Sequence, residues 1–185
     1  MTLDPERVER DMRRWLERAV IGLNLCPFAK SVHVKGQVHY VVSDATAWDG
    51  LLADLERELL ALVQADPAER DTTLLMAPQA LHDFVEFNAF TQQAERLLAG
   101  LGLEGQLQLA SFHPDFQFAG TDPDDITNFT NRAPYPTLHL LREASIDRAV
   151  QAFPEASAIY DANMDTLRRL GRPGWDALWQ DKDPE

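Results

Sequence analysis

The segment from His113 to Tyr135, HPDFQFAGTDPDDITNFTNRAPY, holds most of the side chains in this sequence that could do chemistry. It combines a histidine, four aspartates, two asparagines, an arginine and a tyrosine with no long apolar period. His113-Pro114-Asp115 supplies a general base or metal ligand with a carboxylate able to fix its tautomer. The same three residues also fit a plain turn, with His113 bonding backbone and Asp115 forming an Asx turn. Arg132 carries a planar fork suited to a carboxylate or phosphate. In so acidic a segment it could equally pair with the loop's own aspartates. Asn128, Asn131, Arg132 and Tyr135 form the candidate substrate-binding set, with His139 and Arg142 on the following strand. Strand alternation puts His139 and Arg142 on opposite faces, so those two need not meet.

Cys26 is the only cysteine, so no internal disulfide exists. Lys30, His33 and Lys35 follow it, and neighbouring cations raise a thiol's thiolate fraction. Cys26 also extends the apolar stripe of Trp15, Ala19 and Leu23, and free cysteine is among the most buried residue types. The catalytic reading takes Cys26 as nucleophile, His113 as base and Asp115 as the group that orients it. A metal-dependent reading uses His113 with loop aspartates, joined by His139. It rests on residue type alone, because no paired zinc cysteines and no HExxH spacing occur, and no residue is assigned as a metal ligand. Asp122 before Pro123 fits a helix N-cap, with Asp124 and Asp125 in the first turn. No glycine-rich phosphate loop, dinucleotide fingerprint or GxSxG elbow is present, and no cofactor is implied. His39 and His82 have ordinary places in a strand and at a helix entry.

These residues need a scaffold, and the apolar spacing describes one. Val8, Met12, Trp15, Ala19 and Leu23 predict a helix over 5–25, capped by Asp4, opened by Pro5 and ended by Cys26-Pro27. Val38–Val42 reads as a strand. Trp48, Leu51, Leu52, Leu55, Leu59, Leu62 and Val63 stripe a second helix that Asp66-Pro67 stops. Thr72–Met76 is a short strand. Phe84, Phe87, Phe90, Ala94, Leu97, Leu98 and Leu101 mark a third helix. Leu107 and Leu109 alternate with glutamines in a strand with one wet face, and Leu138 and Leu140 repeat the pattern around His139. Ser145 is read as capping a helix through Ile146, Ala149, Val150 and Phe153, and Pro154 as opening the next. Gly171 and Pro173 read as its stop. Trp175 and Trp179 should dock and the residues beyond them fray. The alternation predicts an α/β or α+β layered sandwich: a mixed sheet of about four strands with helices packed on it, in one domain over 1–185.

The formal charge of −13 disfavours nucleic acid and anionic membrane surfaces as partners. No run is long and apolar enough to span a bilayer, and the charged N-terminus lacks a signal-peptide core. The expected location is cytoplasmic.

Three phrases are distinctive: GLNLCPFA over 22–29, SFHPDFQF over 111–118 and TNRAPYPTLHLLRE over 130–143. They resemble an uncharacterised bacterial family, a domain of unknown function, along nearly the whole chain. The resemblance implies a bacterial cytosolic protein and carries over no activity. On residue chemistry, the first expectation is a small-molecule enzyme with a Cys26/His113 site on an anion-binding loop. The metal-dependent enzyme is the second. The third is a non-catalytic module binding a small ligand or partner through the loop and the tryptophan-bearing tail.

Overall fold

The structure is a computed structural model that describes residues 3–152, 155 and 157–181. Helix α1, Pro5–Trp15, starts where Asp4 accepts a hydrogen bond from the Glu6 N–H and Pro5 opens the first turn. It then widens into a π-helical turn over Leu16–Ile21. The bonds Gly22 N–H to Glu17 O and Leu25 N–H to Val20 O are five residues apart. A Cβ at Gly22 would sit 2.2 Å from the Arg18 carbonyl oxygen, so only glycine fits there. The helix therefore ends before Cys26-Pro27, sooner than its apolar period predicts, and Asn24 turns the chain at φ 53°. A short helix α2, Ala29–Val34, follows.

Strand β1, Val38–Val42, leads through helix α3, Trp48–Gln64, to strand β2, Thr72–Met76. Helix α4, Phe84–Gly100, leads to strand β3, Leu107–Phe112. After the long segment, which contains a 3₁₀ helix at Ile126–Asn131, strand β4 spans Thr137–Arg142. The sheet order is β1-β2-β4-β3. β1 and β2 are parallel, and β4 runs antiparallel to both β2 and β3. The fold is α+β, a mixed four-stranded sheet with helices on it, as the element order predicts.

All five residues of β2 are buried, as befits a central strand covered on both faces. One face packs Leu75, Leu138 and Leu140 against Leu51, Leu55 and Leu59 of α3 and Phe87, Phe90 and Ala94 of α4. The other packs Leu74 and Met76 against Val8, Met12 and Trp15 of α1, together with Phe129, Leu167 and Trp175.

Helix α5, Glu143–Ala152, starts directly from β4. Ser145 is not its cap: its hydroxyl donates to Asp71 at 2.7 Å. The predicted roles of Phe153 and Pro154 lie outside the described residues. Helix α6, Ser157–Ala177, is kinked rather than stopped: Gly171 breaks it at φ 64° and helical turns resume through Pro173. Trp175 docks 5.0 Å from the Phe129 ring, and Trp179 packs on Trp175 at 5.6 Å. Gln180 and Asp181 are tied back to Arg18 and Arg14. The fraying expected after Trp179 thus does not hold for these two, and residues 182–185 lie outside the described residues.

Leu55 is fully enclosed at the middle of the α3 stripe. Leu55→Ala should cost about 2–5 kcal/mol in urea unfolding, the range for a buried leucine truncated to a methyl. A loss below ~1 kcal/mol would mean that the α3 face tolerates a void the packing does not suggest.

Candidate functional site

Three connections leave the sheet at one end: the loops after β1, β2 and β3. Backbone bonds hold them together. The Ser43 N–H donates to Met76 O at 2.9 Å, and the Ala77 N–H donates to Pro136 O at 2.8 Å. This is the carboxyl end of a parallel pair, where open α/β sheets place ligands.

His113 joins two of these loops. The Asp115 N–H donates to its Nδ1 at 2.9 Å, so the proton sits on Nε2, which donates to Leu81 O at 2.9 Å. The ring is fully buried between Phe84 and Phe87. Burial depresses its pKa and keeps it neutral. Both nitrogens are thus taken by backbone, and neither is left to activate a thiol. Cys26 is half-buried and packs against the apolar cluster on the other face of the sheet, whereas His113 sits with α4. The expected nucleophile–base pair is replaced by a turn histidine and a packed cysteine.

The rest of the loop is built the same way. Asn128 is fully buried: its Oδ1 accepts from the Phe118 N–H and the Thr121 hydroxyl, and its Nδ2 donates to Asp122 O. Asn131 donates to Ser111 O. Arg132 donates to Phe116 O at 3.1 Å and Pro123 O at 2.7 Å, and stacks on Phe129. Tyr135 donates to Asp11 at 2.7 Å, tying the loop to α1, as does Trp15 through Arg132 O. The cap of the 3₁₀ helix is Asp125, which accepts from Thr127 through both its N–H and its hydroxyl, and not Asp122. The Arg142 guanidinium donates to Leu62 O, Ala65 O and Arg70 O, closing the C-terminus of α3. The Thr72 hydroxyl donates to Leu140 O, so His139 Nε2 donates to Thr72 Oγ1 at 2.6 Å. Burial pushes its pKa down to about 4. The expected anion-binding set is therefore a set of internal staples. Among the described residues no three His, Cys, Asp or Glu side chains converge on a point that could hold a metal ion.

A cavity opens beside this loop and is not walled by it. It is a groove of about 500 Å³ between the N-termini of α3 and α4, lined by Thr46, Trp48, Leu81, His82, Asp83 and Glu86 among others. Trp48 Nε1 donates to Glu86 Oε1 at 2.9 Å and joins the two helix ends. Asp83 caps α4 by accepting from the Glu86 N–H at 2.8 Å. At α3 the N-cap is Ala47, which has no side chain to cap the first turn. Leu81, buried on the groove wall, has φ 60°, a left-handed conformation rarely adopted by leucine. Its carbonyl is the one His113 holds. The sequence reading passed over His82 and did not single out Trp48, Leu81, Asp83 or Glu86. The available signal was position: LHDF lies in the short connection from β2 to α4, at the opening of the helix. The left-handed leucine has no sequence signature.

The family described as "Protein of unknown function (DUF1415)" matches residues 7–177. The chain belongs to this family. No curated protein and no solved structure matches it. Among the described residues no helix is long and apolar enough to cross a membrane.

Two predictions follow from the staples. Arg132→Ala should lower stability by about 1.5–3 kcal/mol, the scale of hydrogen bonds to a charged donor, read by chemical denaturation. An unchanged midpoint would contradict the staple. His139 has a folded pKa below its unfolded value of about 6.5, so the folded state favours its neutral form. Its contribution is complete above pH ~6.5 and is lost as pH falls towards ~4, by roughly 3 kcal/mol in total. His139→Gln keeps an N–H for Thr72 and should make stability less steeply dependent on pH over that window, the remaining slope coming from the other buried histidine, His113. Parallel pH profiles for the two proteins would refute the assignment.

Proposed function

We propose that this chain is a binding domain for a small zwitterion, a compound with an ammonium and a carboxylate, held in the groove between α3 and α4. The observation that carries this reading is Leu81. A buried leucine in a left-handed conformation costs on the order of 1–3 kcal/mol and persists only where its surroundings fix it. Here the fixing group is His113, through the Leu81 carbonyl, at the wall of the groove. Strain of this kind concentrates at ligand sites.

The chemistry of the lining divides in two. Glu86 and Asp83 offer carboxylate oxygens to an ammonium, and Trp48 adds an aromatic surface beside them. On the facing side, the first-turn N–H groups of α3 have no side-chain cap and suit a carboxylate. The volume is in the range of small-ligand sites, ~300–1,000 Å³. A thiol enzyme using Cys26 and His113 would need an imidazole nitrogen that the backbone now occupies. The binding reading requires no such rearrangement.

Binding is tested by NMR with L-phenylalanine, phenethylamine and hydrocinnamate, which carry both charges, the ammonium alone and the carboxylate alone. L-Phenylalanine should shift the Trp48 indole N–H and the Leu81 and His82 amides more than either half-compound. Glu86→Gln should weaken this without moving the melting temperature. Equal responses to all three compounds, or no response at these sites, would overturn the proposal.

A further inference from the structure

A second surface lies at the sheet edge formed by β3. The direction of its peptide groups follows from the pairing. The Ala77 N–H bonds Pro136 O, and the Glu143 N–H bonds Gln106 O. Antiparallel pairing alternates, so even-numbered residues of β4 bond β2 and odd-numbered ones bond β3. Gln108, Ala110 and Phe112 therefore turn their peptide groups to β4. Leu107, Leu109 and Ser111 turn theirs outward.

This outward row is covered at both ends. The Leu107 N–H donates to Leu103 O at 3.0 Å, and Asn131 Nδ2 donates to Ser111 O at 3.1 Å. Between these covers stand four groups: Leu107 C=O, Leu109 N–H, Leu109 C=O and Ser111 N–H. Among the described residues none has a partner from another strand. The strand itself carries no charge and no proline, the usual protections of an open edge.

The four groups define the direction of an added strand. In a parallel pair, one residue of the partner uses its N–H and C=O on two residues that flank it. A first partner residue can donate to Leu107 O and accept from Leu109 N–H. The third can donate to Leu109 O and accept from Ser111 N–H. Three residues thus satisfy all four groups without displacing either cover. An antiparallel strand centred on Leu109 would bring its own groups to the places that Leu103 O and Asn131 Nδ2 already fill. Two-fold-related copies of β3 would meet antiparallel, so the same covers disfavour a second copy.

The central partner residue lies level with Leu109 and points to the same face. There a cavity of about 170 Å³ separates β3 from α4, lined by Leu109, Ser111, Thr91, Gln92 and Glu95 among others. Burial and the nearby Glu104 raise the Glu95 carboxyl's pKa, so a cation beside it would relieve that cost. The net charge of −13 also favours a cationic partner.

We propose that β3 is a docking edge for an extended basic peptide segment, added parallel to the strand through three residues, with a central lysine or arginine entering the cavity at Glu95. This goes beyond the zwitterion groove and does not depend on it.

The test uses the full chain, isotope-labelled, and three peptides: Ac-Ser-Val-Lys-Val-Ser-NH2, the same peptide with glutamate for lysine, and the lysine peptide with both valine nitrogens methylated. At about 5 mM, suited to a weak short ligand, the lysine peptide should shift the Leu109 and Ser111 amides and slow their exchange. The methylated peptide should not. Glu95→Gln should weaken the lysine peptide about fivefold, the effect of one rim ion pair. A spin label on the peptide N-terminus should broaden signals near Leu107 rather than near Asn131. No shift at either amide, or equal binding of the glutamate peptide, would overturn the proposal. So would broadening at the Asn131 end. Protection of both amides that rises with protein concentration in the absence of peptide would assign the edge to a second copy, and would also overturn it.

Discussion

The neutral imidazole of His113 is the contact on which the arrangement of the loops depends. It accepts from one loop and donates to another, so its tautomer is fixed by the backbone around it. A protonated ring would have no lone pair for the Asp115 N–H, and a ring with the proton on Nδ1 could not donate to Leu81. Because Phe84 and Phe87 enclose it, solvent cannot substitute for either partner. The left-handed turn at Leu81 is the geometric consequence. It aims the carbonyl at the ring and lets the chain enter α4 at Asp83. The wall of the groove is therefore set by a residue outside it.

The elements that could be read from the sequence are those where burial and periodicity agree. The α3 stripe, the all-buried β2 and the Asp4-Pro5 start of α1 each repeat one signal over several residues. What escaped depends on single atoms. The π-helical turn at Leu16–Ile21 has the same apolar period as an ordinary helix and is betrayed only by the close approach at Gly22. Asp122 and Asp125 are equally good caps by residue type. Tertiary contact separates them, since Arg132 takes the Pro123 carbonyl and leaves Asp125 to start the turn. Helix α2 buries no residue completely, so it has no stripe to find.

The sequence points to the segment from His113 to Tyr135 for a related reason. A segment rich in Asp, Asn, His and Arg resembles an active-site loop because those residues have hydrogen-bonding capacity. A long irregular segment that must be buried needs the same capacity for its own backbone. Between His113 and Tyr135 few peptide groups lie in regular structure, and side chains supply the missing partners. Asn128, Arg132 and His113 complete two such bonds each, and Asn128 also accepts from the Thr121 hydroxyl. The polar composition that suggested catalysis is thus accounted for by the requirement to satisfy buried backbone.

Bonding capacity that remains open lies elsewhere, where regular elements end or stop pairing. The first turn of α3 has N–H groups without a side-chain cap because its cap position is alanine. Among the described residues the peptide groups at the centre of β3 have no partner, because the sheet ends there and only its two extremities are covered. Neither location is marked by unusual residues: Ala47 and Leu109 are ordinary in composition. Their significance comes from what the fold leaves unpaired beside them, Glu86 and Trp48 in one case and Glu95 in the other. In this chain the reactive-looking side chains hold the scaffold together, and both proposed sites rest on plain backbone where its regular elements end.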